Sequence, residues 1–150
     1  MKKKNKVLVI NGPNLHLLGK RETKIYGKIT LNDLNSALKK QAKSSGLTLE
    51  NFQSNSEGDI VDRITKADYN FLIINPAGYT HTSVAIRDAI LAAEVATIEV
   101  HISNIYKRED FRKKSLISDV VLGTINGLGK YSYYLALRAA KAFLSEKKQN

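Results

Sequence analysis

Phe71-Leu72-Ile73-Ile74-Asn75-Pro76 joins four consecutive apolar residues to an abrupt polar stop. A short apolar run that ends in a turn signal is typical of a strand buried on both of its faces. Proline closes the run because it has no backbone N–H to donate to a neighbouring strand. Such strands occur in parallel sheets that helices cover on both sides, so this stretch predicts a buried strand of an α/β domain.

Segments with the periodicity of strands and of helices alternate on either side of this run. Further strands are predicted at the short apolar or β-branched stretches 6–10, 47–53, 97–101 and 120–125. Helices are predicted where apolar residues recur at helical spacing, over residues 31–42, 60–67, 84–93 and 133–144. Thr30 with Asp33 forms a variant of the capping box before the first helix, and Gly46 is expected to end that helix.

This alternation predicts one α/β domain over residues 1–150, with a parallel five-stranded sheet and helices on both faces. The most economical topology is the flavodoxin-like strand order 2-1-3-4-5. No internal repeat, low-complexity tract or linker interrupts the chain. The basic ends, about residues 1–5 and 146–150, are expected to be flexible.

The composition fits a soluble globular protein and argues against several kinds of site. The 150 residues are 43% hydrophobic and 25% charged, and no apolar run reaches the ~18 residues of a membrane helix. The basic start is followed by only four apolar residues, too few for a signal peptide, so we expect a cytoplasmic protein. With no cysteine, and three histidines outside any HExxH spacing, we expect neither a disulfide nor a metal site.

The formal net charge of +10 makes nucleic-acid binding one alternative. Much of the excess lies in lysines near the two ends and in Lys39, Lys40 and Lys43 on the solvent face of the first predicted helix. That placement favours ordinary surface lysines. Neither a GxGxxG nor a GxxxxGK[ST] nucleotide motif is present. A flavodoxin-like binding module for nucleotide or nucleic acid remains the rival hypothesis, because a fold class does not fix a function.

Polar residues follow the predicted strands at the edge of the sheet where open α/β proteins bind ligands. This edge lies beyond the carboxyl ends of the strands, where the strand order reverses. Strands one, three and four would be neighbours there, and segments 11–14, 75–83 and 99–104 would meet in one crevice. Such residues also suit turns and caps, but histidine is not a preferred turn residue, which singles out His81 and His101. The polar segment 19–27 predicts either a lid or a surface insertion.

Six groups of residues occupy these strand ends and loops. They are Asn11-Gly12-Pro13-Asn14-Leu15, Arg21-Glu22 with Tyr26-Gly27, Gln53-Ser54-Asn55, Asn75-Pro76 with Tyr79-Thr80-His81-Thr82-Ser83, Glu99-Val100-His101-Ile102-Ser103-Asn104, and Arg108-Glu109 with Phe111-Arg112. Each group alone is a weak signal. Together they resemble type II dehydroquinase, because they follow that family's order and spacing from about residue 7 to residue 140. The combined pattern is a specific signal for that family.

The resemblance implies a flavodoxin-like enzyme that reversibly dehydrates 3-dehydroquinate to 3-dehydroshikimate in the shikimate pathway, by anti elimination through an enolate. It implies no cofactor and no metal. It also implies a homo-oligomer, usually a dodecamer of four trimers, with neither nucleic acid nor a membrane as partner. No pattern in the residues themselves names this substrate.

The resemblance also assigns roles by position. Tyr26 is expected to be the general base, His101 the general acid and Arg21 a lid residue that stabilises the transition state. Asp88 is expected to reach the active site of a neighbouring subunit. The expected substrate contacts, this residue included, are Asn75, His81, Asp88, Ile102, Ser103 and Arg112. Supporting roles are expected for Asn14, Glu99 and Arg108.

The chemistry suits these residue types. Removal of water next to a ketone needs a base, a group that holds enolate charge and an acid for the leaving oxygen. Tyrosine has a reference pKa near 10, so forming a phenolate at pH 7 costs roughly 4 kcal/mol, and a nearby arginine would reduce that cost. Arg21 is the first candidate because it shares a loop with Tyr26, and Arg108 is the second. Glu99 lies on the same strand face as His101 and would orient or charge its imidazole.

Structural alternatives to these roles stay open in the sequence. Tyr26 also suits packing under a loop, and Arg21 suits pairing with Glu22. Arg112 also suits an ion pair with Asp110 or Asp119, and Asp88 suits one with Arg87. For the whole protein, a further alternative is a catalytically inactive relative used for assembly. The chain departs from the family pattern in its loops, though not at a proposed catalytic group, at Thr23, Ala77-Gly78, Tyr106-Lys107 and Lys113-Lys114.

Overall fold

The computed structural model describes residues 5–149 and contains a parallel five-stranded sheet in the order β2-β1-β3-β4-β5. Its strands are β1 (Lys6–Asn11), β2 (Thr48–Gln53), β3 (Phe71–Asn75), β4 (Thr97–His101) and β5 (Gly123–Asn126). Its helices are α1 (Thr23–Tyr26), α2 (Leu31–Ser44), α3 (Glu57–Thr65), α4 (Val84–Ala93) and α5 (Tyr131–Lys147). The predicted α/β class and flavodoxin-like strand order are confirmed.

Apolar side chains of the inner strands form a core on each face of the sheet. Val7 and Val9 of β1 pack with residues of α2 and α5, whereas Leu8 and Ile10 pack with residues of α3 and α4. Successive side chains of a strand point to opposite faces, and all of β3 is buried because both faces are covered. The unbroken apolar run at residues 71–74 follows from this double coverage.

Helix α2 begins where the capping signal predicts. The Thr30 hydroxyl accepts a hydrogen bond from the Asp33 backbone N–H at 3.1 Å, and the Asp33 carboxylate accepts one from the Thr30 N–H at 3.3 Å. This reciprocal pair satisfies N–H groups that the first turn of a helix leaves unbonded. Gly46 follows the helix with φ of 72°, a left-handed conformation that glycine adopts without steric cost.

Three predicted elements have different bounds in the structure. The strand predicted at 120–125 starts only at Gly123, because the Val120 N–H bonds to the Ile117 carbonyl in a turn. The helix predicted at 133–144 extends further at both ends, over Tyr131–Lys147. The helix predicted at 60–67 starts earlier and ends at Thr65, and Ala67 lies beyond it with a positive φ.

The basic ends are only partly described. Residues 1–4 and 150 lie outside the described residues, so the flexibility expected there stays a prediction, as does the domain boundary 1–150. Glu146 and Lys147 form the end of α5. Within residues 5–149, none of the helices has both the length and the apolar character needed to span a membrane.

The register of the inner strands determines which residues meet at the carboxyl edge of the sheet. Strands β1 and β3 end side by side, with Asn11 opposite Asn75. Strand β4 pairs with the other edge of β3 and ends at His101. Because the strand order reverses between β1 and β3, the chain leaves these strands toward opposite faces and opens a crevice between them.

An ion network ties β1, β2 and α3 together. The Arg63 side chain is 9% exposed and contacts Glu50 at 2.9 Å and Asp68 at 3.0 Å, with its guanidinium 5.6 Å from the centre of the Tyr69 ring. Lys6 contacts Glu50 at 2.6 Å. Burial alone would raise the pKa of both carboxyls, but the hydrogen bonds and positive charges of Arg63 and Lys6 hold the pKa of Glu50 and of Asp68 below their ordinary values.

Substitution of Arg63 by methionine tests this network. We expect Arg63→Met to lower the free energy of unfolding at pH 7 by roughly 2 kcal/mol, because two partly exposed carboxylates lose their main cation. A carboxyl whose pKa is lowered by folding stabilises the protein above its ordinary pKa, and this contribution is lost as the pH falls. Urea unfolding should therefore show the wild type losing more stability than the variant between about pH 5 and about pH 3.

The matched control is Arg138→Met, at an exposed position of α5. It should change neither the stability at pH 7 nor its pH dependence. Parallel pH profiles for the wild type and Arg63→Met would contradict the role of the network.

Candidate active site

A cavity opens beyond the carboxyl ends of β1, β3 and β4, at the predicted crevice. It is lined by all of the site residues expected from the sequence other than Glu99 and Asp88, namely Asn14, Arg21, Tyr26, Asn75, His81, His101, Ile102, Ser103, Arg108 and Arg112. These residues lie on separate loops and strand ends. The sheet therefore gathers into one place side chains that are distant along the chain.

Tyr26, the last residue of α1, is held by Arg108. A guanidinium N–H of Arg108 donates a hydrogen bond to the Tyr26 hydroxyl oxygen at 2.8 Å, and its central carbon lies 5.3 Å from the ring centre. The same nitrogen lies 3.4 Å from the Ser103 hydroxyl. A cation that donates directly to a phenol oxygen stabilises the phenolate. This geometry suits a tyrosine that accepts a proton.

Arg21 makes a weaker contact with the same ring. Its guanidinium carbon lies 6.0 Å from the centre of the Tyr26 ring, and a guanidinium N–H donates to Glu22 at 3.3 Å. The pairing with Glu22 is the alternative that the sequence leaves open. Of the two arginines expected near Tyr26, Arg108 is the one that contacts the hydroxyl, and Arg21 lines the cavity from the lid segment.

His101 is held by Glu99, as the shared strand face predicts. The imidazole Nε2 lies 2.5 Å from a Glu99 carboxylate oxygen, and both side chains are buried, at 5% and 0% exposure. Burial alone would raise the pKa of Glu99, but hydrogen bonds from His101, Ser118 and Ser115 lower it below the ordinary value. Glu99 is therefore a carboxylate, and Nε2 must donate to it. The Nδ1 atom remains as the nitrogen from which His101 can deliver a proton.

Two serines that sequence reasoning missed complete the shell around Glu99. The hydroxyls of Ser118 and Ser115 donate to the second carboxylate oxygen at 2.6 and 3.0 Å. Both residues lie in the irregular segment before β5, where serine is an ordinary loop residue. No signal in the sequence distinguishes them, because their role depends on the path of that loop over the end of β4.

His81 and Arg112 line another wall of the cavity. The Nδ1 atom of His81 lies 2.7 Å from the Lys114 carbonyl oxygen and must donate to it, which leaves Nε2 as an acceptor. Burial lowers the pKa of His81 despite that hydrogen bond, so its imidazole is neutral. The Arg112 Nε donates to Glu109 at 2.5 Å, whereas the sequence suggested Asp110 or Asp119 as its ion-pair partner.

Backbone groups form the rest of the cavity wall. Among the described residues, the N–H groups of Ile102 and Ser103 donate to no backbone or side-chain acceptor, so both are free for an anion. Asn14 has φ of 69°, and its N–H donates to the Asn55 side chain at 3.0 Å. Ala77, which stands where the related pattern usually has glycine, also has a positive φ of 53°. The departure at Ala77-Gly78 thus places a side chain where glycine is the easier residue.

Asp88 lies apart from the cavity. It is exposed on α4, and its neighbour Arg87 pairs with Asp119, with one contact of 3.0 Å. The alternative in which Asp88 pairs with Arg87 is therefore wrong. Among residues 5–149, no ion pair is formed by Asp88, and no cluster of His, Asp and Glu side chains is arranged to hold a metal ion.

Comparisons with known proteins agree with this arrangement. The family model described as dehydroquinase class II matches residues 5–141. The 3-dehydroquinate dehydratase of Francisella philomiragia is 55% identical over 141 residues, a match that covers 94% of this chain and 97% of that protein. Both matches span every segment that lines the cavity.

Two solved structures give the same answer for the fold. The type II dehydroquinase of Propionibacterium acnes is 42% identical, with a TM-score of 0.89 over 95% of this chain and 99% of that one. The type II dehydroquinase of Butyrivibrio crossotus is 43% identical, with a TM-score of 0.88 over 90% and 96% of the two chains. With family, sequence and backbone in agreement over nearly its whole length, the chain belongs to the class II dehydroquinase family.

Proposed function

We propose that this protein is a type II 3-dehydroquinate dehydratase, which converts 3-dehydroquinate reversibly to 3-dehydroshikimate and water in the shikimate pathway. The observation that carries the proposal is a single cavity shared by Tyr26, whose hydroxyl accepts a hydrogen bond from Arg108, and His101, which is bonded to Glu99. The cation Arg108 biases Tyr26 toward accepting a proton, and the anion Glu99 biases His101 toward donating one. The names of the relatives support the choice of substrate.

The first step is removal of a proton by Tyr26. Its phenolate takes the proton α to the ketone, and the electron pair of the broken C–H bond moves into an enolate. Arg108 stabilises the phenolate before the step because it donates to the same oxygen. Arg21 is positioned on the lid segment to stabilise the negative charge of the transition state.

The second step is loss of the β-hydroxyl with help from His101. The enolate electrons re-form the ketone and a carbon–carbon double bond, the C–O bond breaks, and the leaving oxygen takes a proton from Nδ1. Water departs and a conjugated enone remains. The Glu99 carboxylate stabilises the imidazolium that gives this proton. We propose that Tyr26 and His101 act from opposite faces of the ring, which makes the reaction an anti elimination.

The remaining wall suits a small hydroxylated acid. The free N–H groups of Ile102 and Ser103 would bind its carboxylate, and the acceptor Nε2 of His81 would take a hydrogen bond from a hydroxyl. Asn75 would hold the enolate oxygen or an intervening water, and Arg112 would bind hydroxyl or carboxylate oxygens. Asn14 would help to position the base. These contacts need no metal and no cofactor.

Assembly would supply the last contact. Val84, Asp88 and Leu91 recur at helical spacing on the outer face of α4, and the two apolar side chains are 58% and 51% exposed. An apolar face with one carboxylate in its middle suits a neighbouring copy whose cavity Asp88 reaches. We therefore propose a trimer built on α4, and a dodecamer of four such trimers.

The activity is tested by mixing the purified protein with 3-dehydroquinate. Formation of the conjugated enone should raise the ultraviolet absorbance in its band. Salt-sensitive DNA binding without that signal would favour the rival binding module. A folded oligomer with neither property would be the inactive relative used for assembly.

The proposed base and acid are tested by Tyr26→Phe and His101→Ala. Each should lower kcat at least ~100-fold, since each removes a group that moves a proton in the reaction. Enone formation gives the rate. The matched controls are Tyr131→Phe and His16→Ala, which change residues outside the cavity and should retain full turnover. Normal turnover of a correctly folded Tyr26→Phe or His101→Ala would exclude the corresponding role.

The two arginines should differ in the pH dependence of their variants. Arg108→Met removes the donor to the phenol oxygen, so kcat at pH 7 should fall at least ~10-fold and recover in part toward pH 9, where more phenolate forms without a cation. Arg21→Met should be slow at every pH, because Arg21 lies farther from the hydroxyl. The pH–rate profile of enone formation distinguishes them. If kcat recovered at high pH in Arg21→Met and not in Arg108→Met, Arg21 rather than Arg108 would be the residue that stabilises the phenolate.

The assembly is tested by Leu91→Glu, which places a charge on the exposed face of α4. The wild type should elute as a multiple of three 16.7 kDa chains in size-exclusion chromatography with light scattering. The variant should elute at a smaller mass and lose turnover, because separated subunits lack the Asp88 of a neighbour. The control Leu128→Glu changes an apolar residue with similar exposure away from α4. Unchanged mass and activity in Leu91→Glu would refute the α4 interface.

A further inference from the structure

Three buried side chains form a hydrogen-bonded chain beside the cavity, and the steps above do not use it. Tyr133, in the first turn of α5, is fully buried, and its hydroxyl lies 2.6 Å from the Asn11 Oδ1 and 2.9 Å from the Asn75 Nδ2. Asn11 and Asn75 are themselves 1% and 4% exposed and lie opposite each other in β1 and β3. Of the three residues, only Asn75 lines the cavity.

One backbone donor fixes the direction of every bond in this chain. The Ala77 N–H can only donate, and it lies 3.1 Å from the Asn75 Oδ1, which must therefore accept. The other end of the amide, Nδ2, is then the donor to Tyr133. Because the Tyr133 oxygen accepts that bond, its own proton goes to the Asn11 Oδ1.

The Tyr133 hydroxyl keeps this proton under all working conditions. Burial raises the pKa of Tyr133 well above its ordinary value, although the hydrogen bond from Asn75 opposes the rise. A protonated phenol that both accepts and donates is needed to join two amides of this orientation. Phenylalanine would fill the same space but would leave the Asn75 Nδ2 and the Asn11 Oδ1 without their partner.

We propose that Tyr133 is a positioning residue, which fixes the Asn75 amide so that the second Nδ2 hydrogen is directed into the cavity at an oxygen of the bound substrate. The inference rests on the proposed dehydration. Asn75 Nδ2 carries two hydrogens, and the Tyr133 oxygen takes one of them. The amide is held at both ends, so the other hydrogen is left to donate to a group in the cavity that Asn75 lines. A donor that is already aimed when the substrate arrives helps to hold the substrate in its reactive orientation.

The test is the enone assay on Tyr133→Phe. We expect kcat to fall about tenfold with KM changed less than about threefold, because a substrate held in a poorer orientation still binds but reacts more slowly. The Asn75→Ala variant should be slower still. In the double variant Tyr133→Phe with Asn75→Ala, the first substitution should have no further effect on kcat, because Tyr133 acts only through Asn75.

The matched control is Tyr69→Phe. Tyr69 is also fully buried, and its hydroxyl donates to the Ile64 carbonyl at 2.8 Å, away from the cavity. Its substitution should lower the midpoint of thermal unfolding about as much as Tyr133→Phe but leave kcat unchanged. This comparison separates positioning from a general loss of stability.

Asn11→Ala provides a second variant if Tyr133→Phe does not fold. This substitution leaves the Tyr133 phenol in place but removes the acceptor of its proton. It should therefore lower kcat, as Tyr133→Phe does. Full turnover in either folded variant, or losses that multiply in the double variant, would overturn the positioning role. No enone from the wild type would instead refute the proposed dehydration, and the inference with it.

Discussion

The parallel pairing of β1 with β3 is the constraint on which the rest of the structure depends. Their register places Asn11 beside Asn75, and the strand order reverses between them. The loops that follow these two strands come so close that a side chain on Gly12 would lie 2.4 Å from the Pro76 carbonyl oxygen. Glycine is therefore required at that position. The cavity occupies the crevice that the diverging connections leave at this edge of the sheet.

The site places a cation beside Tyr26 and an anion beside His101. Arg108 donates to the Tyr26 hydroxyl, and the Glu99 carboxylate accepts from His101. In the proposed mechanism, these two partners bias the direction of proton transfer. Burial strengthens the pair at His101, because Glu99 is fully buried and bonded on its other side by two serines.

Local strain in the loops contributes to the rigidity of the cavity. Asn14, Glu22 and Ala77 have φ values of 69°, 43° and 53°, and all three lie in segments that line the cavity. A non-glycine residue in this region costs roughly 1 kcal/mol, which the surrounding hydrogen bonds must offset. The Asn14 N–H bonds to Asn55, just beyond β2, and the Ala77 N–H bonds to Asn75 at the end of β3, so two of these three positions are tied to residues at the edge of the sheet. Binding groups are thereby held in place before a ligand arrives.

The sequence by itself determined the α/β class and the strand order, because hydrophobic periodicity is a local signal. Strand-end polarity indicated the crevice, and the resemblance to type II dehydroquinase supplied the lining residues that no local pattern singles out, among them Arg21, Tyr26 and Arg112. The sequence could not choose between Arg21 and Arg108, since proximity along the chain favours Arg21 and the contact with Tyr26 belongs to Arg108, 82 positions away. It also gave no signal for Ser115 and Ser118, or for Tyr133, whose bond to Asn11 spans 122 positions. Only the tertiary structure decided these contacts, because packing of the sheet and of α5 brings distant polar atoms to within 3 Å of one another, as between Tyr133 and both asparagines.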